Sequence, residues 1–480
     1  MNVLAERRAA LRALLLGASR AEGWLNQQRW YADKGRAVTS SEVTALRLEP
    51  APAGTLALLV VQFRYADGGK SRYFIPLYLA QETESVEPPL GRIGPEVVLD
   101  ATTQRWFGDW LLHAFQQQTP GWPSTLGPDS ETYLGRAAAA PVQVLRGEQS
   151  NTSIRFGDAI IVKLFRKLQP GVNPDEEALR VLSDQGFGHA PAFVASLAWA
   201  GPDGVDYPLA LASSFVPHET DGWSWLLSRL QGVAAGGDVD LEPERLLGQR
   251  TAEMHVALAA ASDESFRPRA STAEDVFASQ ARTRTGLRQA TELIQERAEV
   301  LPADLQEALP GILAALHDAE SDVAGFDAEV GAPRIRTHGD YHLGQILRTA
   351  DDWVILDFEG EPARPIEERR LRASALKDVA GMLRSFAYAR GATMLSLPEH
   401  DREMADSRLR DWEQAARAAF LGAYRETASR SQWALVPDNE AAFERALRAW
   451  ELDKALYEVA YEARNRPDWL AIPLAVLTPA

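Results

Sequence analysis

The chain has 480 residues, 46% of them hydrophobic and 24% charged, and its 50 basic against 67 acidic side chains give a formal net charge of −17. That length and balance fit a soluble protein of two or three packed units, and the acidic excess disfavours polyphosphate backbones and anionic lipid, so no nucleic-acid and no membrane partner is expected. Cysteine is absent, which excludes disulfides, thiol nucleophiles and cysteine-ligated metal centres.

At the start, Arg7 and Arg8 precede Leu14, Leu15 and Leu16, but Arg12 and Glu22 interrupt the apolar run before it reaches the length of a signal core. This predicts an amphipathic first helix and a cytoplasmic protein. Residues 43–48, 55–65 and 71–79 are of β type, with the turn Ala66-Asp67-Gly68-Gly69 making a hairpin of the last two. A Pro- and Gly-punctuated segment, 87–95, leads to a helix over 102–118, and 119–128 reads as a second linker. Strands follow at 142–145, 153–156 and 159–165, separated by the polar turn Glu148-Gln149-Ser150-Asn151-Thr152 and the turn Gly157-Asp158. Pro170, Gly171 and Pro174 then hand over to a helix beginning near Asp175, whose acidic first turn suits the helix dipole. After a last β stretch at 208–216 the sequence is helical to the end, broken only at 334–357.

The break reads His338-Gly339-Asp340-Tyr341-His342-Leu343-Gly344-Gln345, then an Asp351-Asp352 turn, then Trp353 to Asp357-Phe358-Glu359-Gly360. It is a loop bearing a carboxylate, a short strand, a turn, and a second strand ending in another carboxylate, so both acids can share one end of a hairpin. Phosphoryl transfer needs one carboxylate to take or orient the proton of the attacking hydroxyl and another to hold Mg2+ against the triphosphate of ATP. Asp340 suits the first role and Asp357 the second, with Gln345 as a neutral oxygen ligand. Upstream, Lys163 is embedded in an apolar strand, where its charge is costly unless it meets a partner. It can reach the ATP phosphates and pair with Glu177 on the next helix, while Ser150, Asn151, Thr152 and Ser153 offer hydroxyls and N–H groups to phosphate oxygens. Taken singly, each signal has a plain structural alternative: an edge lysine, a turn aspartate, a solvated polar turn. The His338/His342 pair lies on a loop and lacks the zinc-protease glutamate. In combination the chain order points to a kinase.

On these residues the sequence resembles the aminoglycoside and choline phosphotransferase superfamily, whose loop reads H-G-D-x-x-x-x-N; Gln345 replaces its asparagine. The run from His338 to Gln345, followed by Asp357 to Pro362 (D-F-E-G-E-P), looks like the maltokinases. So do Gln28-Arg29-Trp30-Tyr31 with Lys34-Gly35-Arg36, the 148–153 turn, and the 450–467 segment. The resemblance implies an α+β, bilobal protein-kinase-like fold with a β-rich N-terminal cap (1–95), an intermediate nucleotide-binding lobe (96–217) and a helical C-terminal lobe (218–480). It further implies conversion of ATP and maltose to ADP and maltose 1-phosphate for α-glucan (glycogen) synthesis, and in some members a complex with a separate trehalose synthase. A kinase of another sugar such as glucosamine, or a non-catalytic pseudokinase, remains the alternative.

In the closing helix Leu452, Leu456, Val459 and Ala463 share one face, while Lys454, Tyr457, Tyr461 and Arg464 share the opposite one. The first face should pack. The second can hold a sugar, with tyrosine rings against the pyranose and cationic groups donating to hydroxyls, or can simply be solvated. His342 is a further candidate for sugar contact or a satisfied loop histidine, and Glu359 and Glu361 can border the acceptor or form a solvated acidic turn.

Overall fold

The computed structural model describes residues 3–20, 23–81, 88–145, 151–362 and 364–477. They fall into two compact units, Met1–Arg180 with Pro191–Val216, and Val181–Ala190 with Pro217–Ala480.

The first unit contains two antiparallel sheets. Strands β1 (Val38–Ala51), β2 (Gly54–Tyr65), β3 (Lys70–Ala80), β4 (Gly91–Ile93) and β5 (Glu96–Asp100) form the cap sheet in the order β1-β2-β3-β5-β4. Alternate residues of β2, from Ala57 through Leu59, Val61 and Phe63 to Tyr65, share a core with Leu11 and Leu15 of the first helix (Val3–Ala18) and with Trp30 and Tyr31. Leu56, Leu58 and Val60, which point the other way, are also buried, so this strand is covered on both faces. The expected division after residue 95 falls in the turn between β4 and β5, and β5 pairs with β3, which carries the cap sheet on to Asp100.

The second sheet comprises β6 (Ser124–Leu126), β7 (Val142–Val144), β8 (Asn151–Phe156), β9 (Ile160–Phe165), β11 (Phe193–Ala200) and β12 (Asp206–Ser214), in the order β6-β11-β12-β9-β8-β7. Directly after β9 the chain enters β10 (Lys167–Leu168), which pairs with β3 and so ties the two sheets together. The helix Pro174–Asp184 starts one residue before the position read from the sequence.

In the second unit, long helices surround a small sheet of β13 (Thr220–Asp221), β16 (Ile346–Arg348) and β17 (Trp353–Ile355); β14 (Arg269–Ala270) pairs with β15 (Pro333–Arg334). The β16–β17 hairpin is the one anticipated between Asp340 and Asp357. Its turn is fixed by Asp352, whose carboxylate takes two bonds from Arg250, at 2.9 and 2.7 Å. Among the described residues no helix is long and apolar enough to cross a membrane.

Candidate active site

His338, Gly339 and Asp340 lie on an irregular loop whose backbone groups cannot pair with a strand or helix and so need other partners. Asp378, in the first turn of the helix Leu376–Ser396, supplies them: its carboxylate accepts from the N–H of His338 at 2.7 Å and of Gly339 at 2.9 Å. The same carboxylate faces His255 Nε2 at 3.1 Å, and His255 Nδ1 faces the Tyr424 hydroxyl at 2.9 Å. Burial disfavours a charged Asp378, but the bonds and charge from His255 and the loop N–H groups outweigh it and hold its pKa below the usual carboxylate value. Gly339 has φ of 88°, and a Cβ there would lie 3.2 Å from the Cα of Gly360. Only glycine takes this bend without strain. On the far side of Asp340, the Tyr341 hydroxyl lies 2.9 Å from that of Thr251, and the N–H of Leu343 donates to Ser385 Oγ at 3.0 Å. The loop is thus fastened on both sides of the candidate base.

Asp357 ends the hairpin in the left-handed region, φ 63°, which non-glycine residues seldom adopt. Gln345 Nε2 donates to its Oδ2 at 3.1 Å, and the N–H of Leu356 bonds to the carbonyl of Gln345 at 2.8 Å. Glu359, read from the sequence as a residue that can border the acceptor, has a carboxylate oxygen within 4.8 Å of that of Asp357. Glu359 therefore stands with the second aspartate, while Glu361 lines the cleft onto which Asp340 opens. The two carboxylates are oxygen donors of the kind Mg2+ selects, and Gln345 can add its amide oxygen only by turning from the bond its Nε2 makes to Asp357, so the two acids fit the ion expected from the sequence.

Asp340 opens onto a narrow cleft of about 40 Å³, lined also by Glu361, Lys377, Asp453, Lys454 and Tyr457. Lys454 Nζ lies 3.5 Å from Asp340 Oδ1 and 5.3 Å from the centre of the Tyr457 ring. Burial works against the lysine's charge, yet Asp340, Glu458 and Glu361 more than offset it and raise its pKa. Glu361 is fixed by Lys377 at 3.0 Å and by Arg364 at 2.5 Å. An outer cavity of about 670 Å³ adjoins through Arg364, Asp453 and Tyr457, and Tyr461 and Arg464 line it. Leu452, Leu456, Val459 and Ala463 are buried while Tyr457 and Tyr461 are about half exposed, so the two faces of the closing helix (Glu440–Asn465) divide as their spacing predicts. His342 borders neither cavity. Its Nδ1 accepts from the N–H of Gly344 at 3.0 Å, and burial lowers its pKa, which favours the neutral ring.

In the first unit Lys163 donates to Asp175 Oδ2 at 3.2 Å. Asp175 stands two residues ahead of Glu177, which is half-buried on the same first turn. Ser153 lies opposite Lys163 in register, but Thr152 is opposite Leu164 and so faces the other side of the sheet. Its hydroxyl accepts from Arg166 Nε at 2.9 Å. This corrects the reading of Thr152 as a phosphate contact, since strand alternation turns it away from Lys163. Asn151 borders the same cavity as Thr152, and Ser150 lies outside the described residues.

A fastened loop aspartate, a second aspartate closing the next hairpin, and a strand lysine held by an acid on the following helix are the working parts of kinase-type phosphoryl transfer. Residues 141–360 match the phosphotransferase enzyme family, and residues 24–103 match the maltokinase N-terminal cap domain. The chain belongs to that phosphotransferase family, within the aminoglycoside phosphotransferase-like superfamily, and carries a cap of the maltokinase type. Among curated relatives it is 32% identical over 353 residues to the glucosamine kinase of Streptacidiphilus jiangxiensis, covering 71% of this chain and 74% of that one. It is 29% identical over 379 residues to the glucosamine kinase of Mycolicibacterium smegmatis, covering 77% and 88%. A solved structure of a glucosamine kinase in complex with glucosamine, ADP and inorganic phosphate aligns with a TM-score of 0.69 at 26% identity, over 96% of this chain and 97% of that one.

Proposed function

We propose that the protein is an ATP-dependent sugar kinase with glucosamine as its principal acceptor. The observation that carries this is the cleft that Asp340 shares with Lys454, Tyr457, Glu361 and Lys377, because a ring face beside several donors and acceptors is how polyhydroxylated ligands are held. Asp340 takes the proton of the acceptor hydroxyl as the hydroxyl oxygen bonds to the γ-phosphorus and the bond from that phosphorus to the β–γ bridging oxygen breaks, releasing ADP. Lys454 anchors Asp340 and reaches the sugar, and Lys163, held by Asp175, steadies the donor phosphates. Asp357, Gln345 and Glu359 would hold Mg2+, which neutralises charge building on the triphosphate. The choice of glucosamine rests on the two glucosamine kinases named above, which the chain matches over most of their length.

A second reading, phosphorylation of maltose at its anomeric hydroxyl in service of α-glucan synthesis, is favoured by the maltokinase cap and by the outer cavity, which has room for a second ring. The test is a single ATP-turnover assay with glucosamine, maltose, glucose and trehalose. The highest kcat/KM is expected with glucosamine; a higher one with maltose would reverse the order, and ATP consumption independent of every sugar would remove the sugar-kinase reading. Asp340→Ala should bind ATP yet lose turnover, and ordinary turnover in that variant would strip Asp340 of the base role.

A further inference from the structure

Arg166 is 1% exposed, and three of its groups are accounted for in unit one. Nε donates to Thr152 Oγ1 at 2.9 Å, Nη2 donates to Asp100 Oδ2 at 2.9 Å and to Thr102 Oγ1 at 2.8 Å, and the guanidinium carbon lies 4.5 Å from the centre of the Trp30 ring. Nη1 is buried and has no hydrogen-bond partner. A buried guanidinium N–H left unmatched is costly, and native structures seldom leave one so. Arg166 lines a cavity of about 700 Å³ enclosed by the loop around Trp30, the segment after β5, and strands β7 and β8. Arg29 and Arg105 also line it, and Asp100 is the carboxylate among its described lining residues. Gln28, Gln104 and Gln143 add neutral amides. Thr152 and the Arg166 side chain bonded to it lie on the face of the sheet opposite Lys163, and Asn151, on the face of Lys163, borders the cavity at its end.

We infer that the cavity is a second ligand site, built for a small phosphorylated polyol, with Arg166 Nη1, Arg29 and Arg105 taking the phosphate and the amides taking hydroxyls. Arginine donors match phosphate oxygens in pairs, and the volume greatly exceeds that of a bare tetrahedral anion. Occupied, the site ties the cap segment at Trp30 and Asp100 to β8, which pairs with the strand that carries Lys163; a sugar phosphate there would therefore modulate the kinase from outside the cleft at Asp340.

The test is calorimetric titration of the full chain, without ATP or acceptor, using glucose 6-phosphate, inorganic phosphate and glucose, on wild type, Arg29→Ala/Arg105→Ala and Arg166→Lys. Glucose 6-phosphate should bind wild type and weaken by about tenfold or more in both variants, as expected on losing charged hydrogen bonds, with glucose showing no binding. Turnover of the double variant without sugar phosphate should equal that of wild type, which shows that it is folded even if Arg166→Lys is not. Inorganic phosphate binding as tightly as the ester would identify a free-phosphate site and overturn the polyol assignment. Absence of binding, or binding unchanged in the double variant, would overturn the site itself. Neither result depends on which sugar the enzyme phosphorylates.

Discussion

Lys454 Nζ stands 3.5 Å from Asp340 Oδ1 across 114 residues of chain, so the closing helix supplies the cation that faces the candidate base. Because the lysine's pKa is raised above its ordinary 10.5, the pair is fully formed below that pH and is lost only as pH rises through the still higher folded value. Lys454→Met should therefore lower kcat/KM by about 10- to 100-fold across the neutral range, the loss expected for a charged hydrogen bond at a reacting group. ATP affinity should stay within about twofold, since the substitution leaves Lys163 untouched. Steady-state kinetics with a parallel nucleotide titration checks both.

Asp378 is the anchor of the catalytic loop, and its removal has two separable effects. Asp378→Ala leaves two loop N–H groups and a buried histidine without their partner, and should cost about 3–5 kcal/mol in urea unfolding. Asp378→Asn keeps the shape, folds, and should lose turnover more than nucleotide affinity because Asp340 is no longer held in place. The depressed pKa sets the pH dependence: the carboxylate's contribution is complete above the usual aspartate value of 3.8 and disappears as pH falls through the lower folded value. The stability gap between wild type and Asp378→Asn should accordingly be flat from neutral pH to about pH 5 and close only below the ordinary aspartate range.

These two residues show what was legible in the sequence and what was not. The hairpin that carries Gln345 toward Asp357 could be read because two short β-type runs flank the Asp351-Asp352 turn. Lys454, Tyr457, Tyr461 and Arg464 could be read because a helix puts them on one face. Asp378 could not, since an acid in a helical first turn ordinarily answers the helix dipole and nothing local points to a loop 40 residues earlier. Asp175, Glu176 and Glu177 are consecutive, and only side-chain direction shows that Asp175 meets Lys163 while Glu176 meets Ser196. Strand β11 escaped notice because Ala195, Ser196, Ala198 and Ala200 carry little β signal; pairing with β6 and β12 makes it a strand.

Gly339→Ala isolates backbone geometry from chemistry. At φ 88° the added methyl meets the backbone of Gly360, so either the loop strains by about 1–3 kcal/mol or Asp340 moves. The expected outcome is a loss of kcat of at least about tenfold with ATP affinity retained. A crystal structure of the variant should show the 338–340 loop displaced away from Gly360.

The two cavities beside Asp340 give a way to separate the acceptors by kinetics. Tyr457 borders both, whereas Tyr461 and Arg464 border only the outer one. Tyr457→Ala should raise KM for every accepted sugar, because it strips the ring face nearest the base. Tyr461→Ala should leave a monosaccharide such as glucosamine nearly unaffected and raise KM for maltose by about tenfold, the order expected on losing one aromatic contact with a second ring. Equal losses on both sugars in Tyr461→Ala would mean that the closing helix shapes the cleft as a unit, and the outer cavity would then have no part in acceptor choice.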